Sequence, residues 1–399
     1  MVEVNPDILV WARKEAGLSL EEASKAIALG DARGRTGPER LAAFESGAEK
    51  PSRHHLLEMS KKYRRPLLLF YMEVPPRKGN RGQDFRILPQ SHSKGDEALL
   101  DALIRDLKVR QNLVKELLED EEAHPLPYIG SASRDWSVRQ LAQNIKDTIG
   151  FQLNEFRSLN TIDDAFAYLR NRVENCGVFV LLAGDLGSYH SVISIETFRG
   201  FAIADPIAPF VIINSQDAKS AFSFTLFHEM AHLWLGETGV SGVYGEGDIE
   251  RYCNDVASEI LLPIQEAKQL NKIASLRLEN VLHQISSFAK ERKLSRSMIA
   301  YKLFRLGLME EKRWHEIDNQ LRNEWLKIKE IKKEKNQQKE GGPSYYVIRR
   351  YRLGPSLLNL VSRSIDEDML TPTKAAKVLG VKPRNVEPLL RDIAGRKDN

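Results

Sequence analysis

Cysteine is nearly absent: Cys176 and Cys253 are the two in a chain of 399 residues. That scarcity excludes a disulfide framework and a cysteine-rich zinc ribbon, and both thiols read as small buried hydrophobes. No run approaches the roughly 18 consecutive apolar residues that a membrane helix needs. The opening MVEVNPDILVWARKE has neither the basic start nor the long apolar stretch of a secretory signal, so a cytoplasmic location without membrane association is expected. The excess of one sign of charge is also small. A formal net charge of +4 does not imply generic nucleic-acid binding, so any DNA contact must come from a local surface. Internal repeats and low-complexity tracts are missing as well.

What is present is an ordinary globular composition, 42% apolar and 29% charged, in a chain long enough for two or three domains. Ile8, Leu9, Ala12 and Ala16 recur at helical spacing until Gly17 stops the run. Ser19 then caps a helix over residues 19–28, with Glu22 completing a capping box. A loop, GDARGRTG, leads to a helix over 38–45 that starts at Pro38. The stretch PPRKGNRGQDFRILPQS breaks all periodicity and reads as a linker. Leu99, Leu100, Leu103, Leu107, Val114, Leu117 and Leu118 mark a long amphipathic helix over 96–121, and 136–174 is again helical. From Gly177 the character changes. The runs 177–183, 191–195, 200–204 and 209–214 are short, rich in β-branched residues and separated by Gly, Asp and Pro, which predicts a small, mostly antiparallel sheet. Helical pattern returns after Ala218 and continues to about residue 308. Residues 314–340 alternate charge with Ile317, Leu321, Trp325, Ile328 and Ile331, which predicts an exposed helix or partner surface. Two further short helices are expected around LGVKPRN, within 353–393, where Lys374, Lys377, Lys382 and Arg384 give a second helix-turn-helix-like segment.

The chemistry concentrates in FSFTLFHEMAHLWLG, where His228, Glu229 and His232 form H-E-x-x-H. Residues four apart on an α-helix share a face, so both imidazoles can bind one Zn²⁺ while Glu229 lies beside them as general base. The apolar residues around them suit a buried helix beneath a sheet. A metzincin would place glycine and a third histidine where Leu235 and Thr238 stand, which excludes that class and leaves a His₂Glu site. The helix over 248–262 supplies four acidic candidates for the third ligand, Asp248, Glu250, Asp255 and Glu259, and spacing does not rank them. His190, Tyr244 and Tyr252 are candidates to stabilise an oxyanion.

TLFHEMAHLWLG followed by IERYCNDVASEILLP resembles the ImmA/IrrE family of zinc metallopeptidases, and the likeness extends over residues 177–308, LSRSMIAYKLFRLGLM included. In that family a strand ending in Asn, here Asn214, precedes the H-E-x-x-H helix, and a second helix carries E-x-x-[AC]-[ND]. The resemblance places the glutamate of that second motif on Glu250, in step with Cys253 and Asn254, and so implies Glu250 as third ligand. It implies a three-ligand Zn²⁺ with an open position for water, Glu229 carrying the proton to the leaving amine, and a repressor or neighbouring regulator or toxin as substrate.

Further upstream, GLSLEEAS, FESGAEKPS and KKYRRPLLLFY resemble an Xre-type, lambda-repressor-like helix-turn-helix. The resemblance implies a helix over 38–45 in the major groove with Glu39, Arg40 and Ala43 outward, and Lys50, Ser52 and Arg53 reaching phosphates. The long loop between the central helices supports a competing reading, a retained fold used for protein contact or homodimerisation.

The expected architecture is therefore α+β, mainly α. A helix-turn-helix domain occupies 1–75 and a linker with a long helix 76–135. A zincin-like core with H-E-x-x-H helix and small sheet follows at 136–310, then a charged helix at 311–340 and a helical appendage at 341–399. The expected function is a zinc-dependent endopeptidase in a mobile-element, toxin-antitoxin or stress-response circuit. The alternative is a DNA-binding or antitoxin-like regulator with a weakly active or structural metal site.

Overall fold

The computed structural model describes residues 3–32, 34–76, 94–188, 191–241, 247–271, 273, 276–337 and 344–394. They divide into two compact units, Met1–Leu107 with Asp185–Thr197, and Lys108–Gly184 with Phe198–Asn399. Most of the expected linker, together with His190 and Tyr244, lies outside the described residues.

In the first unit, α1 (Pro6–Glu15), α2 (Leu20–Ala26), α3 (Gly37–Glu45), α4 (Arg53–Lys62) and a 3₁₀ turn (Leu67–Tyr71) close around one core. Ile8, Leu9, Ala12, Ala23, Leu41, Phe44, Leu56, Met59, Tyr63 and Phe70 fill it. The ends are set by local chemistry. Ser19 accepts from Glu22 N while Glu22 Oε2 accepts from Ser19 N, the capping box read from the sequence. Arg13 meets Glu45 bidentately and ties α1 to α3. α5 (Lys94–Asp120) is the long amphipathic helix that the leucine spacing predicts.

The 191–195 run is not a strand. Ser191 Oγ donates to Ser188 O and accepts from Leu186 N, and Ser194 Oγ accepts from Glu196 N, so hydroxyl-to-backbone turns take the place of a ladder.

The second unit holds α6 (Val138–Ile149), α7 (Leu153–Ser158), α8 (Ile162–Asn175), β1 (Phe179–Leu182), β2 (Gly200–Ile203), β3 (Phe210–Ile213), α9 (Lys219–Trp234), β4 (Gly239–Ser241) and α10 (Asp248–Leu261). After them come α11 (Ile264–Ala267), α12 (Leu278–Arg292), α13 (Arg296–Arg305), α14 (Glu311–Gln337), α15 (Tyr345–Leu353), α16 (Pro355–Asp366), α17 (Pro372–Leu379) and α18 (Val386–Ala394). The sheet is mixed, in the order β1-β3-β2-β4: β1 runs parallel to β3, whereas β2 runs antiparallel to both β3 and β4. Every residue of β1, β2 and β3 is buried, which explains why these strands read as unbroken apolar runs rather than alternating ones. β4 was not foreseen; its three residues carry no strand-length pattern.

One hydrophobic cluster runs from Tyr128 to Leu321, past both expected edges of the 136–310 core. The first turns of α14 belong to it, with Trp314 and Ile317 buried and the Trp314 ring stacked on Phe304 at 4.7 Å. Of the apolar residues expected on an exposed helix, Ile328 and Ile331 are exposed, and Leu326 is exposed beside them. In the C-terminal helices the turn after α17 is covered: Arg349 donates to Leu379 O and Gly380 O, and a side chain at Gly380 would collide with Arg110. Lys374, Lys377, Lys382 and Arg384 remain exposed. No helix among the described residues is long and apolar enough to cross a membrane.

Candidate metal centre

Helix α9 is apolar almost all round, and residues 225–234 are all buried, as expected of a helix lodged in a core. It packs against β2, β3, α8 and α10. This fixes where its polar residues can point. His228, Glu229 and His232 are 4%, 0% and 1% exposed. Such polar groups are retained in a dry core only where they have partners.

Helix α10 supplies the partner. His228 Nε2 and His232 Nε2 stand 3.1 Å apart, Glu250 Oε2 lies 3.2 Å from the first and Glu250 Oε1 3.2 Å from the second. The three residues form a group able to hold a metal ion. The dimensions fit: two ligands at ~2.0–2.1 Å from one ion, seen at a tetrahedral angle, are about 3.3 Å apart. The other acids of α10 are engaged elsewhere. Asp248 pairs with Arg251, Asp255 is bidentate with Arg305, and Glu259 Oε2 accepts from Lys302 Nζ at 2.9 Å. The structure thus singles out Glu250 by position, where spacing had left four candidates.

The electrostatics match a cation site. Burial alone would raise the Glu250 carboxyl, but hydrogen bonds and charge from His228 and His232 outweigh it and hold the group well below the usual carboxylate range. Burial likewise opposes a proton on His232, yet Cys253, then Glu237 and Glu250, raise it well above the usual imidazole range. Burial pushes the Cys253 thiol up from its ordinary value, against the opposing influence of His232.

Glu229 is placed by a feature not singled out from the sequence. Its carboxylate packs against Gly200 on β2, where a Cβ would come within 2.7 Å of Glu229 Oε1 and 2.6 Å of Thr225 Cγ2. The available signal was a glycine opening a strand run, which marks close approach of another group. Asn214, at the end of β3, donates from Nδ2 to Phe198 O and accepts at Oδ1 from Gln216 N, pinning the turn that leads into α9. Tyr252 donates its hydroxyl to Trp136 O at 2.8 Å, which makes it a packing anchor rather than an oxyanion donor.

The residues expected to read DNA behave differently. Ala43, expected outward, is buried at 7% exposure, because the loop after α3 folds back over it through Glu49 N to Ala43 O. Glu39 is spent on the α3 cap, accepting from Thr36 N and Oγ1. Arg40 donates to Gly30 O, Lys50 to Glu3, and Ser52 caps α4 through His55 N. Arg53 is exposed.

Comparison with protein families matches residues 187–304 to the peptidase M78 family, described as the IrrE N-terminal-like domain. That segment carries all three members of the group able to hold a metal ion, and the match supports a metallopeptidase-like function of the ImmA/IrrE kind for it. It covers under a third of the chain and does not reach the N-terminal helices. Neither the curated proteins nor the solved structures give a match.

Proposed function

We propose that this chain is a zinc-dependent endopeptidase in which His228, His232 and Glu250 hold the ion and Glu229 carries the proton. The observation that supports it most is the convergence of His228 Nε2 and His232 Nε2, 3.1 Å apart and each 3.2 Å from a different oxygen of Glu250, beside a wholly buried glutamate on the same helix. When bound, Zn²⁺ supplies Lewis acidity, lowering the pKa of a water to about 7 and polarising a peptide carbonyl. The chain's own residues do the rest. Glu229, confined between α9 and β2, accepts the proton that a water gives up on attack and passes it to the departing amine. Glu250 contributes the one formal negative charge among the three ligands. The imidazoles hold their places because α9 is packed on every side.

The runner-up, a DNA-binding or antitoxin-like regulator with a structural metal, is disfavoured by Glu229. A structural zinc needs no general base, and a buried carboxylate kept without a use is costly. In the favoured reading, residues 1–75 form a recognition module that brings the enzyme to its substrate. The substrate class we infer is a regulatory protein such as a repressor. DNA contact in this reading rests on Arg53 and on freeing Arg40 and Lys50 from their present partners.

The test is co-expression of the full chain, as wild type and as Glu229→Gln, with the regulatory protein encoded beside it. The reading expects cleavage by the wild type alone while both forms retain zinc. Cleavage by both, or by neither with zinc bound, contradicts it.

A further inference from the structure

The ring of His232 has a second side. Its Nε2 faces His228 and Glu250, while its buried Nδ1 faces the carboxylate of Glu237, whose Oε2 is 3.9 Å away. Neither Nδ1 nor that Oε2 has a hydrogen-bond partner among the described residues. A shift of about 1 Å would join them in an ordinary hydrogen bond.

Glu237 is held for this task from two directions. Helix α9 ends in a left-handed glycine, Gly236 at φ +69°, with Gly236 N donating to Leu233 O and Glu237 N to His232 O. That reversal is the glycine-ended cap of many helices, and it folds Glu237 back beside the histidine one turn earlier. The second hold comes from residues 126–134, which the sequence had assigned to a linker. Ala132 N donates to Trp234 O at 2.9 Å, a carbonyl that the end of α9 leaves open, and Gly130 N adds a second bond to Leu233 O at 3.0 Å. Tyr128 stacks on Trp234 with ring centroids 4.4 Å apart. Gly130 and Gly236 meet so closely that a Cβ on Gly236 would lie 3.0 Å from Gly130 Cα. This strap delivers Arg134, whose Nη2 donates to Glu237 Oε1 at 2.9 Å.

We propose that Glu237, steadied by Arg134 of the strap, is the positioning residue of the metal centre. Its carboxylate holds the proton of His232 on Nδ1 and so leaves Nε2 as the ligand atom. Outer carboxylates of this kind fix the tautomer and raise the basicity of a ligating imidazole, and their loss typically lowers metal affinity about 10–100-fold. The inference rests on the three-ligand reading. It adds that part of the centre lies outside residues 187–304, in the strap before α6.

The test is a Zn²⁺ competition titration against a chromophoric chelator on the full chain, comparing wild type, Glu237→Gln, Arg134→Ala and His228→Ala. The melting temperature of each metal-free form is measured alongside. Glu237→Gln keeps the shape and removes the charge, so zinc affinity is expected to fall about 10–100-fold with the metal-free melting temperature unchanged. Arg134→Ala, at a mostly exposed site, is expected to give a smaller fall in the same direction. Zinc bound by Glu237→Gln as tightly as by wild type overturns the proposal, as does a loss of affinity that only follows a loss of metal-free stability. Failure of the underlying site reading looks different: wild type and His228→Ala would then bind zinc equally weakly.

Discussion

The bare Cα of Gly200 faces the carboxylate of Glu229, and a methyl group there would stand 2.7 Å from Oε1 and 3.1 Å from Cγ. The strand thereby sets the position of the residue assigned to proton transfer. Gly200→Ala should leave the three ligand atoms and zinc binding intact while pushing Glu229 aside. Misplacement by about 1 Å costs on the order of 10²-fold in turnover, and the overpacking about 1–3 kcal/mol in stability. Peptidase assays on zinc-loaded protein with matched metal content check this; unchanged turnover would mean that Glu229 does not work from its present position.

Helix α10 carries Glu250 and is fixed in register by α13. Lys302 Nζ donates to both Ser258 Oγ and Glu259 Oε2, with the lysine and glutamate side chains 5% and 11% exposed. Removing one member of such a pair strands the other's charge. Lys302→Met is expected to cost about 3–5 kcal/mol, and Lys302→Met with Glu259→Leu to recover much of it. Urea unfolding midpoints of the single and double variants decide the point; equal stability of the two would count against a buried ion pair.

Glu266 gives a pH dependence with a definite sign. Burial would raise its carboxyl, but Arg157 and Arg292, which reach it at 2.9 and 3.1 Å, hold it below its ordinary value of 4.5. A folded-state value below the unfolded one contributes stability above the ordinary value, and that contribution is lost as pH falls through the depressed one. Glu266→Gln should therefore be less stable at neutral pH and lose less stability than wild type on acidification below pH 4.5. Urea midpoints measured down the acid range test this, and parallel curves for the two proteins would refute it.

Much of this is legible in the sequence. The His228 and His232 pair follows from four-residue spacing on a helix, and α5, α9 and α10 follow from apolar periodicity. Glu250 was selected only by resemblance, since its helix offers four acids and the choice depends on how α10 crosses α9. What escaped the sequence was tertiary in origin. The strap at 126–134 is irregular chain whose role lies in backbone N–H groups meeting the end of α9, and backbone bonding leaves no pattern of residue types. The 191–195 run misled because its serines could satisfy the backbone locally. Ala43 sits on the predicted helix, but its burial depends on the loop that folds over it.

The central claim is a single cation gripped by His228, His232 and Glu250. Zinc K-edge X-ray absorption on the zinc-loaded full chain tests it most directly. The account predicts one zinc per chain with two imidazole nitrogens and carboxylate or water oxygen at ~2.0–2.2 Å, and loss of the ion in Glu250→Ala. A sulfur scatterer at ~2.3 Å, which would make Cys253 a ligand, or a wild-type chain that retains no zinc, would contradict it.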